Sequence, residues 1–232
     1  MADHPLIKIV GLGPGGLGGV SQRSLEVLRT ARKIYIRTEN HPVVAELSDH
    51  GILFESFDSL YENAQDFETL YQEIADRIIS ETAAGDVVYA VPGHPLIGER
   101  SVELIIKQAG KLGIEVYIAP SPSFIEAALE SLAVSMDKGL KILDALQIED
   151  LTPSLDTPNL IYQVYDLSIA SRVKLRLMEF YPDEFEVFVV RKAGTDDVET
   201  LKVPLYKLDW MEHDHLTSVY VPGISLELRV ES

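Results

Sequence analysis

The sequence predicts an α/β protein of two domains, an N-terminal domain with a parallel sheet and a C-terminal domain with a mixed sheet. Three observations carry this prediction. Apolar, β-branched runs alternate with amphipathic helical stretches up to about residue 120, the pattern of a parallel sheet covered on both faces. Three of those runs stop at corners rich in Pro and Gly: Gly11-Leu12-Gly13-Pro14-Gly15-Gly16, Pro92-Gly93-His94-Pro95 and Pro120-Ser121-Pro122. Beyond the third corner, strands follow one another at close spacing with fewer helices between them, which implies hairpins. The boundaries read as 1–120 and 121–232.

In order, residues 6–10 form a first strand, and Ser21 caps the helix that follows the glycine loop. Residues 33–37 form a second strand. Pro42 opens a short helix to Leu47, and Ile52-Leu53-Phe54 returns to the sheet. A long helix over 64–84 presents Phe67, Leu70, Ile74 and Ile78 on one face, and Gly85 stops it. Val87-Val88-Tyr89-Ala90-Val91 is a fully buried strand. The helix after it places Val102, Ile105, Ile106 and Ala109 inward and ends at Gly113, and residues 115–119 form the fifth strand.

In the second half an Ala- and Leu-rich helix runs to Ala133, and 149–158 is a polar loop. Residues 159–165 form a strand. Ser168 caps a helix to Tyr181 with Ile169, Val173, Leu177 and Phe180 inward. Strands follow at 185–190, 199–203 and 216–221, and the tail from Ile224 has no assignable element.

Bulk composition excludes several functions. Among 232 residues, 20 are basic and 37 acidic, a formal charge of −17 that disfavours nucleic acid and long-range capture of polyanions. Cysteine is absent, so disulfides, thiolate nucleophiles and cysteine zinc sites are excluded. The start lacks a signal-peptide pattern, and no apolar run reaches the ~18 residues of a membrane helix. The resulting reading is a soluble cytoplasmic protein with no membrane contact. His213-x-His215 and Glu73-x-x-Asp76 lack the further ligands a metal requires, so no metal is expected.

Gly11-x-Gly13-x-x-Gly16 satisfies the dinucleotide fingerprint, with Glu39 near the place of a ribose-binding acid. Three features argue against NAD. Pro14 removes a backbone donor, Gly18 and Gly19 delay the helix start, and the helix lacks small residues for close packing.

Taken in order and spacing, Val10-Gly11-Leu12-Gly13-Pro14-Gly15, Val91-Pro92-Gly93-His94-Pro95 and Ala119-Pro120-Ser121-Pro122-Ser123-Phe124 resemble the tetrapyrrole (corrin/porphyrin) methylase family, the class III methyltransferases. Asn159 to Tyr165, Arg191 to Thr195 and the run from His215 to Pro222 extend the similarity over nearly the whole chain. Ala90-Val91-Pro92-Gly93-His94-Pro95, Asp144-Ala145-Leu146, Gln163-Val164-Tyr165 and His215-Leu216-Thr217-Ser218 are similar to the methylase-like N-terminal domain of MazG-type fusion proteins. The pyrophosphohydrolase signature of those fusions, Glu-Glu-x-x-Glu, does not occur here.

The resemblance implies a two-domain fold with a cleft, S-adenosylmethionine as cofactor, a small-molecule acceptor, a homodimer, and a MazG-type pyrophosphohydrolase partner in cis or trans. It places Pro14 at the first cofactor loop, and Pro92, Gly93, His94 and Ile97 at the second. Ser123 and Phe124 fall at the third. Val164, Gly194 and Thr217 fall at the C-terminal contacts, with Gly194 giving adenine a backbone contact. The family's usual Asp in the second loop is replaced by His94. No catalytic residue is assigned; Tyr162, Tyr165 and Asp166 lie near the expected cleft. The function implied is an S-adenosylmethionine-dependent methyltransferase. The alternative is a module that binds S-adenosylmethionine or regulates a pyrophosphohydrolase without transferring methyl.

Overall fold

A computed structural model of the chain describes residues 5–64, 66–150 and 152–224, so the unassigned tail from 225 on lies outside the described residues. The chain divides into two compact units, Met1–Phe124 and Ile125–Ser232. The division falls four residues past the expected 120, because the third corner is hydrogen-bonded to the first strand and belongs with it.

The first unit holds β1 (Leu6–Gly11), α1 (Gln22–Thr30), β2 (Ile34–Ile36), α2 (Pro42–Asp49), β3 (Glu55–Ser56), α3 (Asp58–Asn63), α4 (Phe67–Glu81), β4 (Val87–Val91), α5 (Arg100–Leu112) and β5 (Glu115–Ile118). Its sheet is wholly parallel in the order β3-β2-β4-β1-β5. Alternation along the strands divides the core. Ile7, Ile9, Tyr35 and Tyr89 pack with Leu70, Ile74 and Ile78 of α4 and Val102, Ile105 and Ala109 of α5. Val10, Ile34, Ile36 and Val88 pack with Val27 and Leu28 of α1 and Val43, Val44 and Leu47 of α2. All five residues of β4 are buried, as a central parallel strand requires. Every corner singled out in this unit follows the carboxyl end of a strand: β1, β4 or β5.

Three expectations are corrected. The stretch 64–84 is not one helix: Asp66 turns the chain into extended backbone, and its side chain accepts the Thr69 N–H to cap α4. Phe67 then falls in the first turn, 67% exposed, off the inward face. Ile52-Leu53-Phe54 is not the strand; pairing occurs at Glu55 and Ser56, and Leu53 is 87% exposed.

The helix that joins the expected domains is α6 (Phe124–Leu132). The second unit continues with β6 (Lys141–Asp144), β7 (Asn159–Tyr162), α7 (Leu167–Met178), β8 (Glu186–Arg191), β9 (Glu199–Pro204) and β10 (Thr217–Val221). Its sheet runs β6-β7-β10-β8-β9; only β6 and β7 are parallel, and the other neighbours are antiparallel, as a mixed sheet. Leu143, Ile161, Val187, Val189, Val219 and Val221 meet α7 and the 3-10 segments Ala145–Asp150 and Leu205–Trp210. Strand β6 is not foreseen by the sequence; Lys141-Ile142 lie exposed on the sheet edge, so it lacks the apolar alternation of a half-buried strand. The strand expected over 159–165 ends at Tyr162, where Gln163 takes φ +63°.

Helix α7 is capped by Asp166, whose carboxylate accepts the Ile169 N–H, and not by Ser168, which is already the second residue of the helix. Replacing Asp166 with Ala should cost about 0.5–2 kcal/mol in urea unfolding. Ser168→Ala should stay within about 0.5 kcal/mol of the parent. Equal costs would place the cap at Ser168.

Candidate functional site

The three corners of the first unit are tied together by their backbones. Leu12 N–H donates to Val91 O at 2.9 Å, extending the β1–β4 pairing past the strands. Gly13 N–H then donates to Gly93 O at 3.2 Å, and Gly93 N–H returns to Gly13 O at 3.0 Å, an isolated antiparallel bridge between the first and second corners. Gly13 O takes a second donor, His41 Nε2, at 3.0 Å; a carbonyl only accepts, so the ring carries its proton there. The third corner joins through Ser121, whose Oγ accepts the Gly11 N–H at 3.2 Å and lies 3.2 Å from Ser24 Oγ. Ser21 Oγ donates to Pro120 O at 2.6 Å while also accepting the Ser24 N–H that caps α1.

Glycine is required here by space. A Cβ on Gly11 would stand 2.4 Å from Gly93 O and 2.6 Å from Ser121 Cβ, and one on Gly13 would stand 2.3 Å from Gly19 O. Gly93 differs: its φ of +61° demands glycine, yet nothing lies within 4 Å of its Cβ position. The second corner is therefore closed toward the first and open on its other side. That open backbone is where a ligand can lie against the chain.

His94 shapes this corner. Its Nδ1 accepts the Leu96 N–H at 3.1 Å, the hydrogen bond to the backbone two residues on that an Asp side chain makes in an Asx turn. The imidazole thus makes the hydrogen bond of an Asx turn without a carboxylate. Pro92, Gly93, His94 and Ile97 are half-buried on this strap, Pro14 and Phe124 are half-buried, and Ser123 is buried. The structure brings Pro14 and the strap to one bridge; Ser123 and Phe124 follow the Ser121 anchor.

The first corner is unsuited to a pyrophosphate. The Gly13 amide is spent on Gly93, and Leu17 N–H is spent on Glu46 Oε1 at 2.9 Å. That carboxylate lies where a dinucleotide loop would present its anion-binding amides, and a 3-10 turn over Leu17–Gly19 separates the loop from α1. A ligand with a cationic centre meets no such repulsion.

Beside the strap lies a buried ion pair. Arg37, directly after β2, contacts Glu99 Oε1 at 3.1 Å and Oε2 at 3.3 Å, with the Glu99 side chain only 7% exposed. Glu99 occupies the N-cap of α5 but makes no side-chain cap bond; its carboxylate turns to Arg37 instead. Arg37 Nε is buried without a partner. Burial pushes the Glu99 carboxyl up to about 7, against the opposing pull of Arg37. The sequence reading misses this pair and His41, since no spacing rule joins residue 37 to residue 99; an acid between Gly98 and an amphipathic helix was the one visible signal.

In the second unit, two non-glycine residues take positive φ at strand ends, Gln163 at +63° after β7 and Lys192 at +52° after β8. Lys192 N–H donates to Leu216 O at 3.1 Å, and Gly194, at φ +85°, is exposed just beyond. Thr217 Oγ1 is bonded within its own turn, to Asp214 Oδ1 at 3.0 Å and to the Asp214 N–H at 2.9 Å. Val164 follows the reversal at Gln163 and is fully buried in the core of its unit. Arg191 is held by Glu199, Glu212 and Asp214 at 2.9–3.5 Å. Among the described residues no group of three His, Asp or Glu side chains could hold a metal, and no helix is long and apolar enough to cross a membrane.

A concavity of about 470 Å³ lined by Leu6, Lys8, Arg23, Glu115 and Tyr117 involves the amino-terminal parts of β1 and β5, away from the corners. Its salt bridges and open mouth offer no converging polar groups.

Two outcomes follow. Gly11→Ala should lose about 1–3 kcal/mol in urea unfolding through overpacking at the knot. Gly18→Ala, where a Cβ meets nothing within 4 Å, should change little. For Glu99, the folded carboxyl near 7 lies above its unfolded value of 4.5, so its stabilisation is complete below pH 4.5 and is lost as pH rises through 7. Relative to Glu99→Gln, the parent should gain up to about 3 kcal/mol as pH falls from 8 to 5. A flat difference between the two would contradict the burial argument.

Comparison with known proteins identifies the fold. The model of the tetrapyrrole (corrin/porphyrin) methylases matches residues 7–209. "Uncharacterized protein YabN" of Bacillus subtilis (strain 168) is 38% identical over 222 residues, covering 95% of this chain and 45% of that protein; the chain spans about half the length of this curated relative. Among solved structures, uroporphyrin-III-C-methyltransferase from Thermus thermophilus superposes with TM-score 0.75 at 18% identity, over 98% of both chains. The cobalt precorrin-4 methyltransferase CbiF gives 0.72 at 13% over 94% of both, and diphthine synthase gives 0.70 at 15% over 94% of this chain and 90% of that one. The parallel-sheet and mixed-sheet units are those of a class III methyltransferase fold. Matched over most of its length by the family model, this chain belongs to the tetrapyrrole (corrin/porphyrin) methylase family.

Proposed function

We propose that the chain is an S-adenosylmethionine-dependent methyltransferase whose cofactor lies against the knotted corners of the first unit. Members of the family use S-adenosylmethionine as methyl donor. The observation that carries the reading is the Gly13–Gly93 bridge: it fixes the second corner with its backbone open on one side and spends the Gly13 amide that a pyrophosphate would need. Bound there, the cofactor supplies an electrophilic methyl on a sulfonium. The chain's own part is to hold that methyl in line and exclude water, which requires position more than a nucleophile.

Pro14, Pro92, Gly93, His94 and Ile97 form the seat in this reading, with Ser123 and Phe124 following the Ser121 anchor. The resemblance assigns Val164, Gly194 and Thr217 to the cofactor as well. His94 maintains the turn but adds no carboxylate, so the seat relies on backbone hydrogen bonds at about 1 kcal/mol net each. The homodimer implied by the resemblance and the cytoplasmic location read from the composition belong to the same proposal, and sedimentation velocity reads the first.

A second reading is supported by length. The chain matches 45% of YabN, so a further region accompanies the homologous part in that relative. A module that binds S-adenosylmethionine and regulates a joined or separate MazG-type pyrophosphohydrolase fits this arrangement. Transfer of labelled methyl into an extract separates the two readings.

Calorimetric titration with S-adenosylmethionine, S-adenosylhomocysteine and NAD tests the seat. The first two should bind and NAD should not. Gly93→Val, which forces a β-branched residue to positive φ, should weaken both at least about tenfold, or 1.4 kcal/mol. Unchanged affinity would show that the ligand lies elsewhere.

A further inference from the structure

Helix α2 holds the first corner with two side chains, and one of them is an imidazole. Glu46 Oε1 accepts the Leu17 N–H at 2.9 Å, and His41 Nε2 donates to Gly13 O at 3.0 Å. Gly13 O also receives the Gly93 N–H, so His41 bonds to the same carbonyl that closes the bridge between the corners. His41 stands at the N-cap of α2, a place more often filled by Ser, Thr, Asp or Asn. Pro42 at the first helical position has no N–H. The first donor in need of a partner is therefore Val43, and His41 Nδ1 accepts its N–H at 3.4 Å.

These two bonds define the state of the ring. A carbonyl only accepts and a backbone N–H only donates, so Nε2 carries a hydrogen and Nδ1 a lone pair. That is neutral imidazole in one tautomer. Imidazolium would set an Nδ1 hydrogen against the Val43 N–H, with its charge at the positive end of the α2 dipole. An ionised Asp would cap the helix but has no hydrogen to give Gly13 O.

Building on the cofactor seat proposed above, we infer that His41 is a positioning residue that makes cofactor binding depend on pH. Neutral, it ties the amino end of α2 to the first corner and braces the carbonyl that receives the Gly93 N–H. Protonated on Nδ1, it gives up the Val43 bond and turns away from the helix end, and Glu46 alone holds the corner from the side of α2. Affinity is therefore full above the histidine range and falls as pH drops through it.

The other ionisable groups on the elements around His41 have their own engagements. Residues 11–20 of the first corner carry none. On α2, Glu46 is bonded to Leu17, while Asp49 and His50 lie at the far end, with His50 Nδ1 2.8 Å from Glu46 O. On the turn before α2, Arg37 pairs with Glu99, and exposed Glu39 gives its N–H to Asp58 Oδ2 of α3. In the second corner, His94 Nδ1 accepts the Leu96 N–H. All of these remain when His41 alone is replaced, so they cancel in a comparison of parent and variant.

The test is calorimetric titration of the full chain with S-adenosylhomocysteine from about pH 8 down to about pH 5.5, across the histidine range. His41→Asn keeps a cap acceptor and an amide donor but does not titrate there. At about pH 8 the variant should bind no more tightly than the parent. Between the two ends of the range the parent should lose at least about tenfold more affinity than the variant, the size of two ordinary hydrogen bonds. The Glu99 carboxyl near 7 contributes equally to both profiles. A second measurement needs no ligand: nitrogen NMR of the parent should find the ring hydrogen on Nε2 at about pH 8, and protonation of Nδ1 should speed exchange of the Gly93 amide in the parent relative to His41→Asn at the same pH. Parallel affinity profiles, with tight binding in both proteins, would overturn the inference and leave the seat standing. A ring hydrogen on Nδ1 at about pH 8, or Gly93 exchange indifferent to the state of the ring, would overturn it as well. No affinity for S-adenosylhomocysteine at any pH would overturn the seat itself, and the inference with it.

Discussion

Two reciprocal hydrogen bonds between Gly13 and Gly93 determine how the first unit presents its functional edge. They join corners 80 residues apart in sequence, and they form only because β1 and β4 are adjacent parallel strands whose pairing runs on through Leu12 and Val91. Adjacency in turn follows from burial: β4 is apolar on both faces and so takes the centre of the sheet, with β1 and β2 beside it. Gly11 and Gly13 permit the approach, since a single Cβ at either would enter a neighbouring carbonyl. Ser121 then draws the third corner in through the Gly11 amide.

The polar groups behind this knot carry their own logic. Ser121 pairs with the Gly11 N–H, and His41 adds a second donor to Gly13 O. His94 keeps a turn that Asp would make, so the local geometry persists through a change of charge. Glu99 loses its water, which disfavours its charged form, and Arg37 offsets only part of that cost. The edge is thus dry and acidic next to a seat that holds itself by backbone.

Much of this was legible in the sequence. Period and punctuation identified the parallel sheet, the mixed sheet and the caps at Ser21 and Gly113, because local propensity and tertiary burial agree there. The errors share a physical cause. At 64–84, Asp66 interrupts an apolar period that looks continuous, and a cap outweighed a pattern. Strand β6 exposes Ile142, so no alternation betrays it. The strand expected to run to Tyr165 stops at Tyr162, because Gln163 takes a positive φ that no sequence pattern shows. The Arg37–Glu99 pair is a contact across 62 residues, which only the strand order creates.

Hydrogen exchange at the Gly13 and Gly93 amides tests the central claim most directly. Both donate in the bridge, so both should exchange slowly and at similar rates, and saturating S-adenosylmethionine should slow them further. Rapid exchange at either glycine, or protection indifferent to the cofactor, would contradict the account.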